Sequence, residues 1–481
     1  MIKSFLYMFS ILSLTLFTTV YAADLPAMRA LQAQGYNVAG LVVDLQTGEK
    51  IAEYDAEKIL TPASVTKIYT AALALQTWGP DYRFETELLY TGRRVGSRLE
   101  GDLILRGSGD ATLTNEGLWR LALDVARSGI QVVTGKVIVD ESRFGRVTCV
   151  TVDRCKAEDK SWRSYDALIT AAPVNHGNVA VVVTPGSQIG QAANISIDPY
   201  PLDHFVIEGN ITTVAGRGAE FNVSRYTDDH SERLRVSGKI GVGAGSQRVY
   251  RSVGKAAEYT GELFKRFLKA ADVTVESGTM INTVTPIRGT RLATLPSQTL
   301  GRAVSDMLYY SNNMLADTLT LNLLVELQNA QPANMLAAGN ILETYARELT
   351  QRSSLTNNPS QARIFDGSGL NPDNKLAPVD LVAMLQAVYH RTEDFPFLLG
   401  SLRVPLHSPA RGLSGSHEVW KRLALKTGGL SEPVSVHTIA GYMRLRNGNW
   451  GAFAMLVNGR PGKPIYRVKA FEAIRKDLER L

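Results

Sequence analysis

The 481-residue sequence lacks low-complexity tracts and any repeat of fixed period, which excludes largely disordered chains and solenoids. After Ala23 it also lacks an apolar run long enough to cross a membrane. The remaining composition, 44% hydrophobic and 20% charged, is ordinary for a globular protein. One hydrophobic core does not serve a chain of this length, so we expect two or more domains.

The sequence also lacks a strong concentration of charge. The formal net charge is +6, and the basic residues are scattered rather than gathered into a stripe. This distribution argues against a nucleic acid as partner. Two interpretations remain open: a mild attraction to anionic wall polymers, and a solvated basic surface with no particular partner.

Cysteine is scarce, with only Cys149 and Cys155, six positions apart in a polar segment. Two thiols without histidines at ligand spacing do not form a tetrahedral site, so metal binding is the weaker interpretation of this pair and we predict no metal site. The favoured interpretation is a disulfide that closes a small loop, and two unpaired thiols are the alternative.

The motifs of two common hydrolase classes are missing. His417-Glu418 is not followed by a helix-spaced histidine, as a zinc metalloprotease requires. The sequence also has no Gly-x-Ser-x-Gly elbow to support a histidine-dependent triad.

Residues 1–22 have the pattern of a secretory signal peptide. Lys3 precedes an apolar run over residues 5–20, and small residues follow at Ala22 and Ala23. The run is shorter than a membrane-spanning helix needs. We therefore expect cleavage near Ala22 and export of the protein, and an uncleaved membrane anchor is the alternative.

The periodicity of the chain changes twice. Strand-like residues 40–54 precede an alanine-rich helical run over residues 65–75, which Thr61-Pro62 introduces. Short alternating strands then dominate from about residue 84 to about residue 286. After residue 300 the pattern predicts two helical runs, three strands and a final helix, over residues 307–325, 335–349, 422–426, 439–446, 450–458 and 466–481.

This arrangement predicts an α+β fold. A catalytic domain would be assembled from residues 23–84 plus 287–481. Residues 85–286 would form a mostly β insertion with two subdomains.

The sharpest motif is Ser64-Val65-Thr66-Lys67 at the predicted start of a helix. Residues three apart share a helix face, so the Lys67 ammonium can reach the Ser64 hydroxyl. A lysine with a lowered pKa can take the serine proton and make the oxygen a nucleophile. A capping serine with a solvated lysine is the alternative for this motif alone.

Two further motifs add polar groups. Ser311-Asn312-Asn313 precedes a helical run, where a serine and an amide can point together into a cleft, or can simply cap the helix. Lys426-Thr427-Gly428 ends an alternating strand and is followed by Gly429. The lysine and the hydroxyl can bind a carboxylate, and the two glycines let a substrate backbone approach, although a hairpin with a solvated lysine has the same pattern.

Together, and in this order, the three motifs resemble those of the penicillin-binding proteins and their β-lactamase relatives. The long gap between Lys67 and Ser311 narrows the resemblance to D-alanyl-D-alanine carboxypeptidases/endopeptidases of the penicillin-binding protein 4 type. Further segments share this resemblance, so that it spans nearly the whole mature chain: residues 101–110, 311–317, 366–370 and 440–442.

The resemblance implies a penicillin-binding/β-lactamase-like serine transpeptidase domain, with an antiparallel sheet and flanking helices. It implies a periplasmic protein, soluble or peripherally bound to the membrane, that works without metal or organic cofactor. Its substrates would be peptidoglycan stem peptides ending in D-Ala-D-Ala, and β-lactam antibiotics would be covalent inhibitors.

The resemblance also implies roles for single residues. Ser64 would be the nucleophile and Lys67 the base, and Ser311 and Asn313 would complete the proton relay and the amide contact. Lys426 and Thr427 would receive the terminal carboxylate. The backbone N–H groups of Ser64 and Gly429 would form the oxyanion hole.

Three positions fit the resemblance less closely than the motifs do. Asp166 is the best match to an acidic residue that approaches the serine–lysine pair in the family, and a surface aspartate is the alternative. Gly429 stands where many relatives have Ser or Thr, which puts carboxylate recognition and substrate preference in question. Asn312 replaces an Asp, which the resemblance tolerates.

Two other functions remain open. A β-lactamase-like hydrolase would share the motifs but would need a group that activates a deacylating water. A catalytically silent peptidoglycan-binding scaffold would keep only the fold. The presence of Ser64, Lys67, Ser311 and Lys426 argues against the scaffold.

Overall fold

The computed structural model describes residues 22–155, 163–203, 205–228, 231–407, 413, 415 and 417–481. The predicted signal peptide therefore lies outside the described residues, except for Ala22. Within these ranges, none of the helices combines the length and the apolar character that crossing a membrane requires.

The elements of the described ranges are numbered in chain order. The helices are α1 (Pro26–Ala33), α2 (Lys67–Trp78), α3 (Asn115–Arg127), α4 (Val152–Cys155), α5 (Ala256–Ala270), α6 (Leu300–Tyr310), α7 (Asn313–Gln328), α8 (Met335–Arg352), α9 (Pro378–Tyr389), α10 (Phe395–Ser401) and α11 (Arg467–Leu478). The strands are β1 (Ala23–Asp24), β2 (Asn37–Asp44), β3 (Lys50–Tyr54), β4 (Glu85–Tyr90), β5 (Arg93–Val95), β6 (Arg98–Glu100), β7 (Leu103–Arg106), β8 (Val132–Val133), β9 (Val137–Asp140), β10 (Asn178–Thr184), β11 (Asn194–Asp198), β12 (Phe205–Val214), β13 (Ala219–Thr227), β14 (Glu232–Gly241), β15 (Gln247–Ser252), β16 (Thr274–Val275), β17 (Thr279–Asn282), β18 (Thr290–Pro296), β19 (Leu423–Leu430), β20 (Val436–Arg444) and β21 (Trp450–Asn458).

One sheet joins the two ends of the chain. Its strand order is β1-β3-β2-β21-β20-β19, so that early strands lie beside the last strands of the sequence. β2 pairs antiparallel with β21, from Asn37 opposite Asn458 to Asp44 opposite Gly451. The other neighbours are also antiparallel, apart from the short parallel pair of β1 and β3. β19, which carries Lys426, forms an edge of this sheet.

Helices cover both faces of the sheet. The side chains of β2 accordingly alternate between two cores. Leu41 and Val43 lie in a core with residues of α2 and α6 to α9. Val38 and Val42 lie in a second core with residues of α1 and α11. Alternation with burial on both faces is what a central strand requires. The predicted α+β fold with a mostly antiparallel sheet and flanking helices is confirmed.

Residues 85–296 form the other four sheets of the described chain. Their strand orders are β17-β9-β7-β4-β18, β16-β8-β6-β5, β11-β10-β15 and β12-β14-β13. Apolar residues of these sheets share a separate core with α3 and α5. The strand β18 pairs with β4 and lies a few residues beyond the predicted boundary at residue 286.

The helical pattern over residues 307–325 is interrupted. Ser311 ends α6 with φ 57° and ψ 41°, a left-handed conformation that cannot continue an α-helix. The Asn312 side chain then accepts a hydrogen bond from Leu315 N and begins α7. The break places Ser311 at the end of α6 and Asn313 at the start of α7.

Cys149 and Cys155 are joined by a disulfide, as the favoured interpretation of the sequence predicts. The bond closes a small loop that contains α4.

Candidate active site

Ser64 lies in a short 3₁₀ turn, Ala63–Thr66, and Lys67 is the first residue of α2. The turn begins with Ala63 at φ 51°, a conformation that residues with a Cβ rarely adopt. Thr66 Oγ1 holds the turn by donating to the Ala63 carbonyl at 2.9 Å. Gly369 packs closely against this turn. A Cβ at position 369 would lie 2.0 Å from the Ala63 carbonyl oxygen, so the contact admits no side chain.

The buried Lys67 amine has three partners. Its Nζ atom lies 2.7 Å from Asn313 Oδ1, 2.5 Å from the Ser368 carbonyl oxygen and 3.0 Å from Ser64 Oγ. The first two oxygens can only accept hydrogen bonds, whereas the hydroxyl can also donate. A neutral amine, with two hydrogens and one lone pair, therefore fits these partners with its lone pair on the Ser64 hydroxyl.

The surroundings of Lys67 favour this neutral form. Burial lowers the pKa of Lys67 to about 8, while the nearby carboxylates of Asp317 and Asp366 raise it and the Arg154 guanidinium lowers it further. The same burial that desolvates the amine thus brings its titration close to physiological pH.

The Asn313 amide is oriented by a second contact. Its Nδ2 atom donates to the Tyr165 carbonyl oxygen at 3.2 Å, which leaves Oδ1 directed at Lys67. Asn313, one of the predicted site residues, therefore lies beside the serine–lysine pair, and its role in catalysis stays a prediction.

A buried group of charges lies behind Lys67, and none of the three sequence motifs predicts it. Arg154, from the disulfide loop, forms an ion pair with Asp317 of α7, and both side chains are buried. The other oxygen of Asp317 accepts from Ser368 N at 2.9 Å, and the Ser368 carbonyl holds Lys67. Asp317 follows Asn313 by four residues on one helix face, which is the signal that could have revealed it.

Asp366 belongs to the same group. It accepts hydrogen bonds from the backbone N–H groups of Gly369 at 2.6 Å and Asn371 at 2.7 Å. Burial and the Asp317 charge raise the pKa of Asp366, and the Arg154 charge opposes that rise. The loop that presents the Ser368 carbonyl is thus folded around one carboxylate.

Lys426 contacts Ser311 from the opposite side of the site. Its buried ammonium donates to Ser311 Oγ at 2.9 Å and to the Thr427 carbonyl oxygen at 2.7 Å. Burial lowers the pKa of Lys426 well below its usual range, and the charges of Lys67 and Arg403 lower it further. The structure thus brings the second and third motifs into direct contact.

Ser64 faces a pocket of about 140 Å³ between these motifs. The pocket is lined by Ser64, Ser311, Thr427, Gly428, Gly429, Arg467 and Phe471. Gly428 lets β19 approach the serine turn, because a Cβ at this position would lie 2.6 Å from the Pro62 carbonyl oxygen and 3.1 Å from Ser64 N. Arg467 and Phe471 come from α11, and no sequence motif predicts a role for either residue.

Asp166 is buried at the end of a 3₁₀ turn, directly after Tyr165. Tyr165, its neighbour in the chain, contacts Asn313. The carboxylates that act on the pKa of Lys67 are Asp317 and Asp366. The assignment of Asp166 to the site stays a prediction.

The fold is similar to that of known penicillin-binding proteins. A crystal structure of penicillin binding protein 4 (dacB) from Haemophilus influenzae matches with a TM-score of 0.74 at 20% identity, over 93% of this chain and 96% of that one. A complex of the same protein with a novel β-lactam matches with a TM-score of 0.71 at 21% identity, over the same shares of both chains. The predicted penicillin-binding/β-lactamase-like fold is confirmed.

The sequence itself defines the family. The model of the D-Ala-D-Ala carboxypeptidase 3 (S13) family matches residues 22–474. The chain therefore belongs to this family, and the predicted class, a serine-type D-Ala-D-Ala carboxypeptidase, is confirmed.

Two curated relatives match most of the chain. A D-alanyl-D-alanine carboxypeptidase of Actinomadura sp. (strain R39) is 28% identical over 459 residues, 90% of this chain and 80% of that protein. The D-alanyl-D-alanine carboxypeptidase DacB of Haemophilus influenzae is 24% identical over 472 residues, 93% of this chain and 90% of that protein.

Proposed function

We propose that this protein cleaves the D-Ala–D-Ala ends of peptidoglycan stem peptides, and the cross-links made from them, through an acyl-enzyme on Ser64. The observation that carries the proposal is the 3.0 Å contact between Lys67 Nζ and Ser64 Oγ, with the amine buried and fixed by two acceptors. β-Lactam antibiotics, which mimic this peptide end, would acylate the same oxygen.

In the acylation step, Ser64 Oγ attacks the carbonyl carbon of the penultimate D-Ala, and its proton passes to the Lys67 lone pair. Negative charge develops on the carbonyl oxygen, where the backbone N–H groups of Ser64 and Gly429 stabilise it. The peptide C–N bond then breaks, and the acyl ester remains on Ser64.

The leaving amine needs a proton, which Ser311 is placed to deliver. Lys426 Nζ donates to Ser311 Oγ at 2.9 Å, so the hydroxyl proton of Ser311 is directed away from Lys426 and towards the pocket. The Lys67 proton replaces the one that Ser311 gives up, so Lys67 is neutral again before deacylation. A water then attacks the ester, its proton passes to Lys67 and from there to Ser64 Oγ as the ester C–O bond breaks, and Ser64 is regenerated.

The leaving group decides which activity is observed. When it is free D-alanine, the reaction is that of a carboxypeptidase. When it is the amine of a neighbouring stem peptide, the reaction is that of an endopeptidase.

We place this reaction in the periplasm. Residues 1–22 have the signal-peptide pattern, and the Cys149–Cys155 disulfide is of a kind that persists in oxidising compartments.

The first test is labelling of the full chain with fluorescent penicillin, beside assays of D-alanine release from a D-Ala-D-Ala peptide and of cleavage of a cross-linked muropeptide dimer. We expect a stable label and product with the wild type, and neither with Ser64→Ala. The same preparation, recovered from the periplasmic fraction, should give the mass of a chain that begins at Ala23.

Ser187→Ala is the matched control, because Ser187 is exposed and lies in a loop outside the site. Release of hydrolysed penicillin without a persistent label would instead identify a β-lactamase-like hydrolase. A folded wild type that gives neither label nor product would favour the wall-binding scaffold.

A further inference from the structure

Arg467 presents a guanidinium group to the Ser64 pocket. It is the first residue of α11, and it lines the pocket beside Thr427 and Gly429. Its side chain is exposed, and none of the described carboxylates pairs with it. The group is therefore accessible to an anion that enters the pocket.

The position of Arg467 does not benefit its own helix. The N-terminus of a helix carries a partial positive charge, which repels a cation and attracts an anion. An arginine at the first position of α11 thus adds to a local positive field instead of compensating it. A carboxylate bound in front of α11 would be attracted by both.

Gly429 leaves space next to this guanidinium. A Cβ at position 429 would lie 3.5 Å from Arg467 Nη2 and 3.5 Å from the Val436 carbonyl oxygen, which is ordinary contact distance. Arg467 therefore borders the space that the side chain of a Ser or Thr at position 429 would occupy.

Lys426 is poorly placed to bind a carboxylate by itself. Its side chain is buried, and its ammonium already donates to Ser311 and to the Thr427 carbonyl oxygen. Among the cations near Ser64 that the structure describes, Arg467 is the one that is exposed and lines the pocket.

We propose that Arg467 binds the C-terminal carboxylate of the substrate, in place of the hydroxyl group that Gly429 does not provide. This inference rests on the proposed function and adds the residue that recognises the peptide end. A guanidinium can form two parallel hydrogen bonds with a carboxylate, which fixes its orientation as well as its charge.

The test compares acylation by benzylpenicillin with acylation by its methyl ester, in which the carboxylate is masked. We expect Arg467→Ala to slow acylation by the free acid about tenfold or more, as loss of a charge-assisted hydrogen bond does. Acylation by the ester should keep its wild-type rate. Gly429→Thr in the Arg467→Ala background should recover part of the lost rate.

Lys469→Ala is the matched control. It removes the same charge from the same helix, but the Lys469 ammonium lies over the Tyr36 ring, 5.0 Å from its centroid, and not at the pocket. We expect it to change neither rate.

An equal loss with acid and ester would overturn the inference, because it would mean that Arg467 only supports the structure. An unchanged rate with the acid would also overturn it. A wild type that reacts with neither compound would instead reject the acyl-enzyme on Ser64, and this inference with it.

Discussion

In the proposed mechanism, Lys67 accepts the Ser64 proton only while its amine is neutral, so we expect its charged neighbours to set the pH range of activity. With a pKa of about 8, roughly a tenth of Lys67 is neutral at pH 7. Three charged groups from different elements act on the pKa of Lys67: Asp317, Asp366 and Arg154. The Lys67 charge in turn lowers the pKa of Lys426. Arg154 offsets part of the negative charge behind the amine.

The rate of acylation should therefore rise with pH through about 8 and then level off. Arg154→Gln removes a positive charge, which makes the Lys67 ammonium more stable and raises its pKa. We expect the rise in rate to move upwards by roughly one pH unit. Arg154→Lys keeps the charge and should stay near the wild-type profile. The measurement is the rate of fluorescent-penicillin labelling as a function of pH, from about pH 6 to about pH 10.

Arg225→Gln controls for general destabilisation. Arg225 forms an equally buried ion pair with Glu232 at 3.1 Å, but on β13, in another sheet. Its loss should lower the free energy of unfolding and leave the pH profile in place. A profile that moves in both variants, or in neither, would contradict the role of Arg154.

At the scale of elements, the site depends on how closely β19 approaches the 3₁₀ turn of Ser64. A Cβ at Gly428 would lie 2.2 Å from Thr438 Oγ1 and 2.6 Å from the Pro62 carbonyl oxygen, so the contact admits no side chain. Thr438 Oγ1 also donates to the Pro62 carbonyl at 2.7 Å, which ties the neighbouring strand β20 to the same turn. Both strands thus contact the turn that carries Ser64.

We expect Gly428→Ala to force β19 and the turn apart. Overpacking of this kind costs about 1–3 kcal/mol in the free energy of unfolding. Urea denaturation measures that loss, and the labelling rate should fall as the pocket widens. Gly429→Ala is the stability control, because its Cβ meets nothing closer than 3.5 Å. Equal stability of the two variants would refute the steric argument.

The sequence predicts contacts within one element better than contacts between elements. Ser64 and Lys67 could be paired from their spacing, because three residues bring two side chains to one helix face. The contact of Lys426 with Ser311 depends on the packing of β19 against the break between α6 and α7, which no local pattern encodes. The same holds for Arg467, whose place beside Gly429 depends on how α11 packs on the sheet.

At the scale of the whole molecule, the two ends of the described chain are held together. The backbone N–H groups of Ala27 and Met28, at the start of α1, donate to the Asp477 carboxylate, each at 2.9 Å. Asp477 lies in α11, so a residue from the far end of the sequence caps the first helix. Both helices cover the same face of the sheet.

Asp477→Ala should lower the free energy of unfolding by about 1–3 kcal/mol, because it leaves two helix N–H groups without their acceptor. Asp477→Asn keeps one acceptor oxygen and should lose less. Asp24→Ala is the comparison: its ion pair with Arg29 is largely exposed, and such pairs contribute about 0–1 kcal/mol. Thermal or urea unfolding measures all three, and an Asp477→Ala variant as stable as Asp24→Ala would contradict the capping role.

The strand order also has a consequence for the timing of synthesis. Ser64 and Lys67 leave the ribosome early, but β19, β20 and β21 are made only near the end of the chain, after the whole of residues 85–296. Thr427, Gly428 and Gly429 line the Ser64 pocket, so a nascent chain that ends before β19 carries Ser64 without a complete pocket. We therefore expect Ser64 to be unreactive during translation and to become active only when the last strands join the sheet.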